Sequence, residues 1–402
     1  MSSKIPSSFS FPPPEDGSCD VLFIAGEHSG DEQAARMVDR LSELNPELNI
    51  CALGGRALAR RGVQVLFDMT KFSVVGLVEV LKNLSSFKAL LRGITEWIRT
   101  YKPKAVCFVD YPGFNLHLAS ILKKEGLSVK GGGNIKLLYY ISPQIWAWKA
   151  RRRFKMAETL DALAVIFPFE TKCYEDTSLK VDFVGHPFLS KEYESKVYYD
   201  KNSPMLFLPG SREIAVGRIF PIMLETLRLM ENEEAVVPYP GKGILKVLEG
   251  VLKKYPDVSS RVHLRKISDD GRIGAKAVLM SSGTISLSAC LEAIPGAIVY
   301  RANPLTYIVG RLLVSIKYLG ISNILLDRPA WPEFIQGAAK PKAIADRMRE
   351  CLENPEVIAA AQKDAGLLRG KLSAKNEFDA ATWLIKNMLL RFEHPPKASS
   401  KI

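Results

Sequence analysis

Residues 21–44 read VLFIAGEHSGDEQAARMVDRLSEL. Val21 to Ala25 is a short apolar run, Gly26 to Asp31 a loop of small and charged residues, and Glu32 to Leu44 has a helical pattern. An apolar run, a glycine-bearing loop and a helix in that order open an α/β unit. The same order recurs. Lys104 to Val109 is a second run, which ends at Asp110-Tyr111-Pro112-Gly113 and leads into a helix from Asn115 to Lys124. Ile135 to Ile141, Ala162 to Phe167 and Val181 to Val184 continue the series. Strands apolar throughout their length, alternating with helices, imply parallel sheets covered on both faces.

A second series follows the polar, Tyr-rich stretch 188–203, which reads as a linker. Met205 to Leu208 leads into Pro209-Gly210-Ser211-Arg212 and a helix from about Val216 to Met230. Ala235 to Pro238, Val262 to Leu264, Ala277 to Met280 and Ala297 to Tyr300 complete the set. The expected organisation is a disordered tail over 1–18, an α/β half over 19–187, the linker, and a second α/β half over 204–370. An amphipathic helix within 371–392 can pack back on the first half, and 393–402 form a second disordered tail. Two such halves are expected to enclose a cleft, with ligands beyond the carboxyl ends of the strands.

Composition narrows the partner. Of 402 residues, 47% are apolar and 24% charged, which is ordinary globular composition. The formal net charge of +12 favours an anionic partner, and nucleic acid, membrane and phosphorylated metabolite all qualify. No run of eighteen apolar residues predicts a transmembrane helix, and the Ser/Pro-rich start lacks the apolar core of a signal peptide. Six scattered cysteines form no CxxC pair, so reduced thiols in a cytoplasm are expected rather than a zinc site. The histidines show no metal-ligand spacing, and no metal or cofactor is assigned.

The loops after the strands carry the candidate chemistry. Gly26 to Asp31 is neither GxGxxG nor a P-loop, and either cradles an anion at a helix start or is a glycine-rich turn capped by Asp31. Pro209-Gly210-Ser211-Arg212 and Ser281-Ser282-Gly283-Thr284 stand after two strands of the second half, and together suggest a diphosphate site. Asp110, at a strand end, reads either as a general base or as an Asp bonded to its own turn.

Residues 139–156 read YYISPQIWAWKARRRFKM. Trp146 and Trp148 precede five cations, Lys149, Arg151, Arg152, Arg153 and Lys155. That pairing suits a surface where apolar matter meets phosphate, or else a buried Trp pair followed by a solvated basic helix. Val74, Leu77, Val78 and Leu81 recur at helical spacing and Val75 widens their apolar face. The pattern reads as a core-facing helix or a patch for acyl chains.

Taken in order, these blocks resemble the lipid-A-disaccharide synthase family of inverting glycosyltransferases. GEHSGD, SVVGLVEVL at 73–81, DYPGFN at 110–115 and the tryptophan block carry the resemblance, followed by FPFE at 167–170, FVGHP at 183–187, LPGSR at 208–212 and SSGT at 281–284. YRANPLTY at 300–307, Asn323 and PEFIQ at 332–336 complete it. The resemblance implies a GT-B architecture of two Rossmann-like domains. It implies transfer of a diacylated glucosamine from UDP to the 6-hydroxyl of diacylglucosamine 1-phosphate (lipid X), at the cytoplasmic face of the inner membrane.

On that basis Asp110 is the expected base, and Gly210, Ser211, Arg212, Ser282, Gly283, Thr284, Asn323, Glu333 and Gln336 are expected around UDP. Glu27, Ser29, Gly30, Asp31 and Ser142 are expected to hold the acceptor. Val74, Val75, Leu77, Val78, Leu81, Trp146, Trp148 and Arg151 to Arg153 are expected at the membrane, with no nucleic acid partner and the oligomeric state open. Three positions depart from the family pattern. Gly113 and Ala215 replace acidic residues, and Ser288 replaces a Glu, with Glu292 one turn further on. The alternatives are another UDP-sugar GT-B enzyme, such as a UDP-N-acetylglucosamine epimerase, or a non-catalytic basic protein that binds RNA or membrane on the same fold.

Overall fold

Val21–Ala25 forms β1 with all five side chains buried, as an apolar run sandwiched between helix layers requires. The computed structural model describes residues 9–74, 84–267, 271–303, 307, 316–374 and 378–389. The chain divides into two compact units, Met1–Glu192 with Ser373–Ile402, and Tyr193–Leu372.

In the first unit β1 is followed by α1 (His28–Leu44), β2 (Ile50–Gly54), α2 (Arg56–Ala59), β3 (Gln64–Asp68), α3 (Met69–Val74) and α4 (Leu84–Tyr101). Then come β4 (Ala105–Val109), α5 (Pro112–Lys124), β5 (Lys136–Tyr140), α6 (Arg152–Thr159), β6 (Ala162–Val165) and β7 (Lys180–Phe183). The strands form one parallel sheet in the order β3-β2-β1-β4-β5-β6-β7. Chain direction across the sheet therefore reverses between β1 and β4, where the loops after the two strands part to opposite faces and open a crevice.

The last helix, Ala380–Leu389, belongs to this unit and buries Ala381, Trp383 and Leu384 against the face that carries Phe23 and Ala164. Two lysines hold its end. Lys136 Nζ donates to the Asn387 carbonyl and Lys180 Nζ to the Asn387 side chain, each at 2.8 Å. Cations at a helix C-terminus also meet the negative end of its dipole.

Residues 9–18 do not follow the disordered tail expected of them. Phe9 and Phe11 stack at 6.4 Å and both meet the edge of Phe67, while Trp97 Nε1 donates to Pro12 O at 2.8 Å. Gln64 joins the same segment, donating to Pro13 O at 2.8 Å and accepting from Glu15 N at 3.0 Å. Prolines pre-extend the segment, so ordering it costs little entropy, and the two rings supply the apolar contact that the composition understated. The expectations for 1–8 and 393–402 lie outside the described residues.

In the second unit β8 (Val197–Tyr199) lies within the stretch that the sequence reading gave to a linker and pairs in parallel with β12 (Ile273–Ala275). The main sheet is built from β9 (Met205–Leu208), β10 (Ala235–Tyr239), β11 (Val262–Lys266), β13 (Val278–Met280), β14 (Gly296–Tyr300) and β15 (Glu333–Ile335). Its order is β11-β10-β9-β13-β14-β15, again parallel, and its switch point falls between β9 and β13. Helices α7 (Glu213–Arg228), α8 (Lys242–Leu252), α9 (Thr284–Leu291), α10 (Ile321–Leu326), α11 (Pro341–Glu353) and α12 (Pro355–Leu372) accompany it. Among the described residues no helix is long and apolar enough to cross a membrane.

Candidate active site

The switch point of the first sheet brings the loop after β1 beside the loop after β4. At the end of β4 the backbone turns through two left-handed residues, Asp110 (φ 48°) and Tyr111 (φ 49°), before Pro112 starts α5. Such φ values are uncommon outside glycine, so surrounding contacts must hold them. They do. The Asp110 carbonyl accepts from Tyr139 Oη at 2.6 Å and from Asn115 Nδ2 at 2.7 Å, and its N–H donates to Tyr140 O at 3.0 Å. The Tyr111 ring lies over Gly26, where any side chain would collide with it.

These contacts use the backbone of Asp110, and the residue stays partly exposed at the switch point. Burial, and next the negative charge of Glu27, raise its pKa from the ordinary value to about 6, opposed by a hydrogen bond from the Tyr111 N–H. A carboxylate that holds its proton this firmly and still ionises by neutral pH is suited to general base work.

The loop after β1 divides by role. Glu27 and Ser29 are exposed, whereas Gly30 and Asp31 are buried. Asp31 Oδ1 accepts from Gly55 N at 2.7 Å and Oδ2 from Ala57 N at 2.8 Å, so both oxygens hold the start of α2. Gly30 lies against the end of β4, where a Cβ would make ordinary contact with Val109 O at 3.4 Å. Ser142 is buried too, bonded to Tyr174 Oη at 2.8 Å, and follows the left-handed Ile141 (φ 68°).

The tryptophan block also splits. Trp146 is half-buried, edge-on to Phe169 at 5.5 Å, whereas Trp148 is 49% exposed and Phe154 42% exposed. Lys149 Nζ lies 4.3 Å from the Trp148 ring centroid, and Arg151 is exposed. Arg153 is committed to Asp176 through Nε at 2.7 Å and a second Nη2 contact. Val75, Leu77, Val78 and Leu81 lie outside the described residues, and Val74 ends α3.

Two buried titratable groups nearby are structural. Glu170 accepts from Phe167 N at 3.1 Å, and burial lifts its pKa to about 8. His186 accepts from Phe188 N at 3.1 Å, and burial lowers its pKa to about 3, which removes it as a base.

In the second unit Leu208 and Met280 are register partners on β9 and β13, so the loops 209–212 and 281–284 emerge side by side. Gly210 has φ 121°, and a Cβ there would lie 3.3 Å from Ser281 Oγ. Ser211, Arg212 and Gly283 are exposed, Ser282 is half-buried, and Arg212 caps α7 without a side-chain bond. An exposed guanidinium beside a helix start and a glycine loop is chemistry for a phosphate.

The other three expected donor residues have inward duties. Asn323 is fully buried, donating to Trp331 O at 2.8 Å and accepting from Trp331 N at 3.0 Å. Glu333 accepts from Leu319 N, Gly320 N and Asn323 Nδ2 at 2.9 Å each. Gln336 (φ 52°) bonds both the N–H and the carbonyl of Ala302. Together they form a polar frame that shapes the loops after β14 and before α10.

Residues 21–386 match the model of the lipid-A-disaccharide synthetase family. The chain belongs to that family. The lipid-A-disaccharide synthase of Coxiella burnetii is 33% identical over 378 residues, covering 92% of this chain and 98% of its own length. The Legionella pneumophila lipid-A-disaccharide synthase 1 is 35% identical over 334 residues, covering 79% and 83%.

Among solved structures, the Neisseria meningitidis UDP-GlcNAc 2-epimerase bound to UDP-GlcNAc aligns with TM-score 0.55 at 12% identity, over 92% of this chain and 99% of its own. The glycotransferase of kitacinnamycin aligns with TM-score 0.58 at 10% identity, over 92% and 99%. Those two likenesses concern the fold alone, which is of the GT-B class.

Membership in the lipid-A-disaccharide synthetase family makes the chain a glycosyltransferase of lipid A biosynthesis that uses a UDP-sugar. It also frames the departures. Gly113 is the second residue of α5, and Ala215 lies beside Gly210. Ser288 is buried and bonds Tyr193 Oη and Ser195 Oγ, each at 3.0 Å. Glu292 is engaged by Arg272 at 3.4 Å and Arg369 at 3.2 Å, so it holds unit 2 together. Of the residues that build the Asp110 turn, Tyr139 and Asn115 were not singled out by the sequence reading, although both lie inside quoted motifs.

Proposed function

We propose that the chain transfers a diacylated glucosamine from its UDP donor to the 6-hydroxyl of diacylglucosamine 1-phosphate, by one inverting displacement. The observation that carries this reading is Asp110. Its backbone is fixed by three hydrogen bonds, its carboxylate is tuned to about 6, and the residue stays partly exposed at the switch point of the first sheet. The carboxylate takes the proton of the 6-hydroxyl as that oxygen bonds to the anomeric carbon, and the bond from that carbon to the UDP oxygen breaks. Arg212 and the 282–284 loop receive the diphosphate charge as it develops. The loop after β1 serves the acceptor through Glu27 and Ser29, with Gly30, Asp31 and Ser142 shaping its floor.

On this reading the domains divide the work, 19–187 for the acceptor and 204–370 for the donor. The enzyme works peripherally at the cytoplasmic face of the inner membrane. Exposed Trp148 and Phe154, flanked by Lys149, Arg151 and Lys155, support contact with an anionic lipid surface.

An assay with the two lipid substrates tests the reaction. Disaccharide and UDP should appear together in the wild type, and Asp110→Asn should abolish both while UDP binding persists. Near-normal turnover by that variant would remove Asp110 from the mechanism. Joint replacement of Trp148 and Phe154 by alanine should release the protein from anionic vesicles, and unchanged sedimentation would end the membrane assignment.

A further inference from the structure

Helix α5 leaves the carboxyl end of β4 and returns to the amino edge of the first sheet, where α6 also ends just ahead of β6. Between the two helix ends lies a hollow of about 460 Å³. Four lysines border it, Lys123 and Lys124 from α5, Lys130 from the short turn Val129–Gly131 and Lys155 from α6, with one carboxylate, Glu158. The thirteen residues of α5 put the hollow about 20 Å from the Asp110 turn at the other end of that helix.

Backbone acceptors at these helix ends are already engaged. Glu125 N donates to Ile121 O, Leu127 N to Leu122 O and Gly126 N to Lys123 O. In α6 the Thr159 hydroxyl donates to Lys155 O at 2.9 Å, Leu160 N to Met156 O at 2.8 Å, and Lys130 Nζ to Ala157 O at 2.5 Å. Lys130 is thereby fixed by the fold. The ammonium groups of Lys123, Lys124 and Lys155 have no hydrogen bond or ion pair among the described residues. Glu125, next to Lys124 in sequence, is committed to Arg99 instead.

Burial lowers the pKa of Lys130; Asp161 opposes that and the charge of Lys123 adds to it. Like charges around a recess repel one another and concentrate a field that draws an anion. Ammonium groups offer donors only, so the ligand must supply acceptors. A carboxylate brings two oxygens and one charge to four cations, whereas a phosphomonoester brings three oxygens and close to two charges.

We propose that this hollow is a second anion site, which takes a phosphomonoester or diphosphate group and is separate from the catalytic crevice. The group belongs either to a lipid headgroup, since Lys155 adjoins exposed Phe154, or to a soluble phosphorylated metabolite.

The test maps acetylation of individual lysines by acetic anhydride in the full chain, with inorganic pyrophosphate as one probe. Vesicles of phosphatidylethanolamine containing phosphatidic acid are the other. Pyrophosphate should slow modification of Lys123 and Lys124 about fivefold, and equally in Arg212→Ala, which lacks the cation expected at the other diphosphate site. Lys123→Gln combined with Lys124→Gln should weaken pyrophosphate protection of Lys155 about tenfold at an unchanged melting temperature, because neither side chain holds the fold. Protection of Lys123 and Lys124 by the vesicles alone assigns the headgroup, and protection by pyrophosphate alone assigns the soluble ligand. Absence of protection by both probes would overturn the site. So would equal protection by sodium chloride at matched ionic strength, or of exposed Lys254 on the second unit, since either marks general screening. Neither probe requires turnover, so the outcome is independent of the reaction proposed above.

Discussion

The Tyr139 phenol donates a 2.6 Å hydrogen bond to the backbone carbonyl of Asp110, and so joins the side chain of one strand to the end of its neighbour. With Asn115 it holds a left-handed pair that would otherwise relax. Tyr139→Phe removes one donor and leaves the other. It should cost about 1 kcal/mol of stability, read from the denaturation midpoint, and lower kcat roughly tenfold through misplacement of the carboxylate. Donor KM should not move, and an unchanged kcat would separate the turn from catalysis.

Asp110 also makes opposite predictions for activity and stability. Its folded pKa of about 6 exceeds the ordinary 3.8, so between those values the folded state binds the proton more tightly than the unfolded one. Stability from this group is fully present below pH 3.8 and is lost as pH climbs through 6. At neutral pH Asp110→Asn should therefore raise the melting temperature, by about 1–2 kcal/mol in stability after solvent screening, while turnover disappears. In the wild type kcat/KM should fall below pH 6. Glu27→Gln should move that limb to lower pH, because Glu27 contributes to the raised value. A limb that stayed in place would remove Glu27 from the electrostatics.

Asp31 belongs to the same loop but answers to the fold. Asp31→Ala leaves the N–H groups of Gly55 and Ala57 without acceptors, at a cost of about 3 kcal/mol in a urea titration. Acceptor KM, measured where the variant is folded, should change little. A large KM effect with normal stability would return Asp31 to the binding surface.

Glu333→Ala frees two backbone donors and the Asn323 amide at once. A loss of about 2–3 kcal/mol is expected, together with weaker UDP binding as the loop before α10 loosens. Weaker UDP binding at wild-type stability would instead mean direct contact with the nucleotide.

Much of the architecture was legible because strands buried on both faces spell themselves out in apolar letters, as Val21–Ala25 and Met205–Leu208 do. Most of the strands that escaped notice break that rule. Gln64–Asp68 has polar ends, Ile273–Ala275 is three residues around a glycine, and Val197–Tyr199 sits in a charged, tyrosine-rich stretch. Ile50–Gly54 is apolar but ends in a glycine pair that reads as a turn.

The site was legible at the level of loops and not of atoms. Glu27 and Asp31 look alike in sequence, and only the loop after β2 tells them apart by supplying two N–H donors to one of them. Arg152 and Arg153 differ in the same way, since Asp176 neutralises only the second. Local pattern identified where chemistry could occur, and distant partners decided which side chains were left free to perform it.

The helix Ala380–Leu389 is made after the whole second unit, yet Trp383 fills the core that β1 begins. On the ribosome the first unit must therefore wait for the whole of Tyr193–Leu372 to be made before its sheet is sealed. Until then the surface that receives Trp383 stands open to water and to other nascent chains. A premature stop anywhere between Ser373 and Ala380 would release a product whose second unit is complete and whose first unit is unsealed. Such a product is a substrate for chaperones and proteases rather than an enzyme of reduced activity.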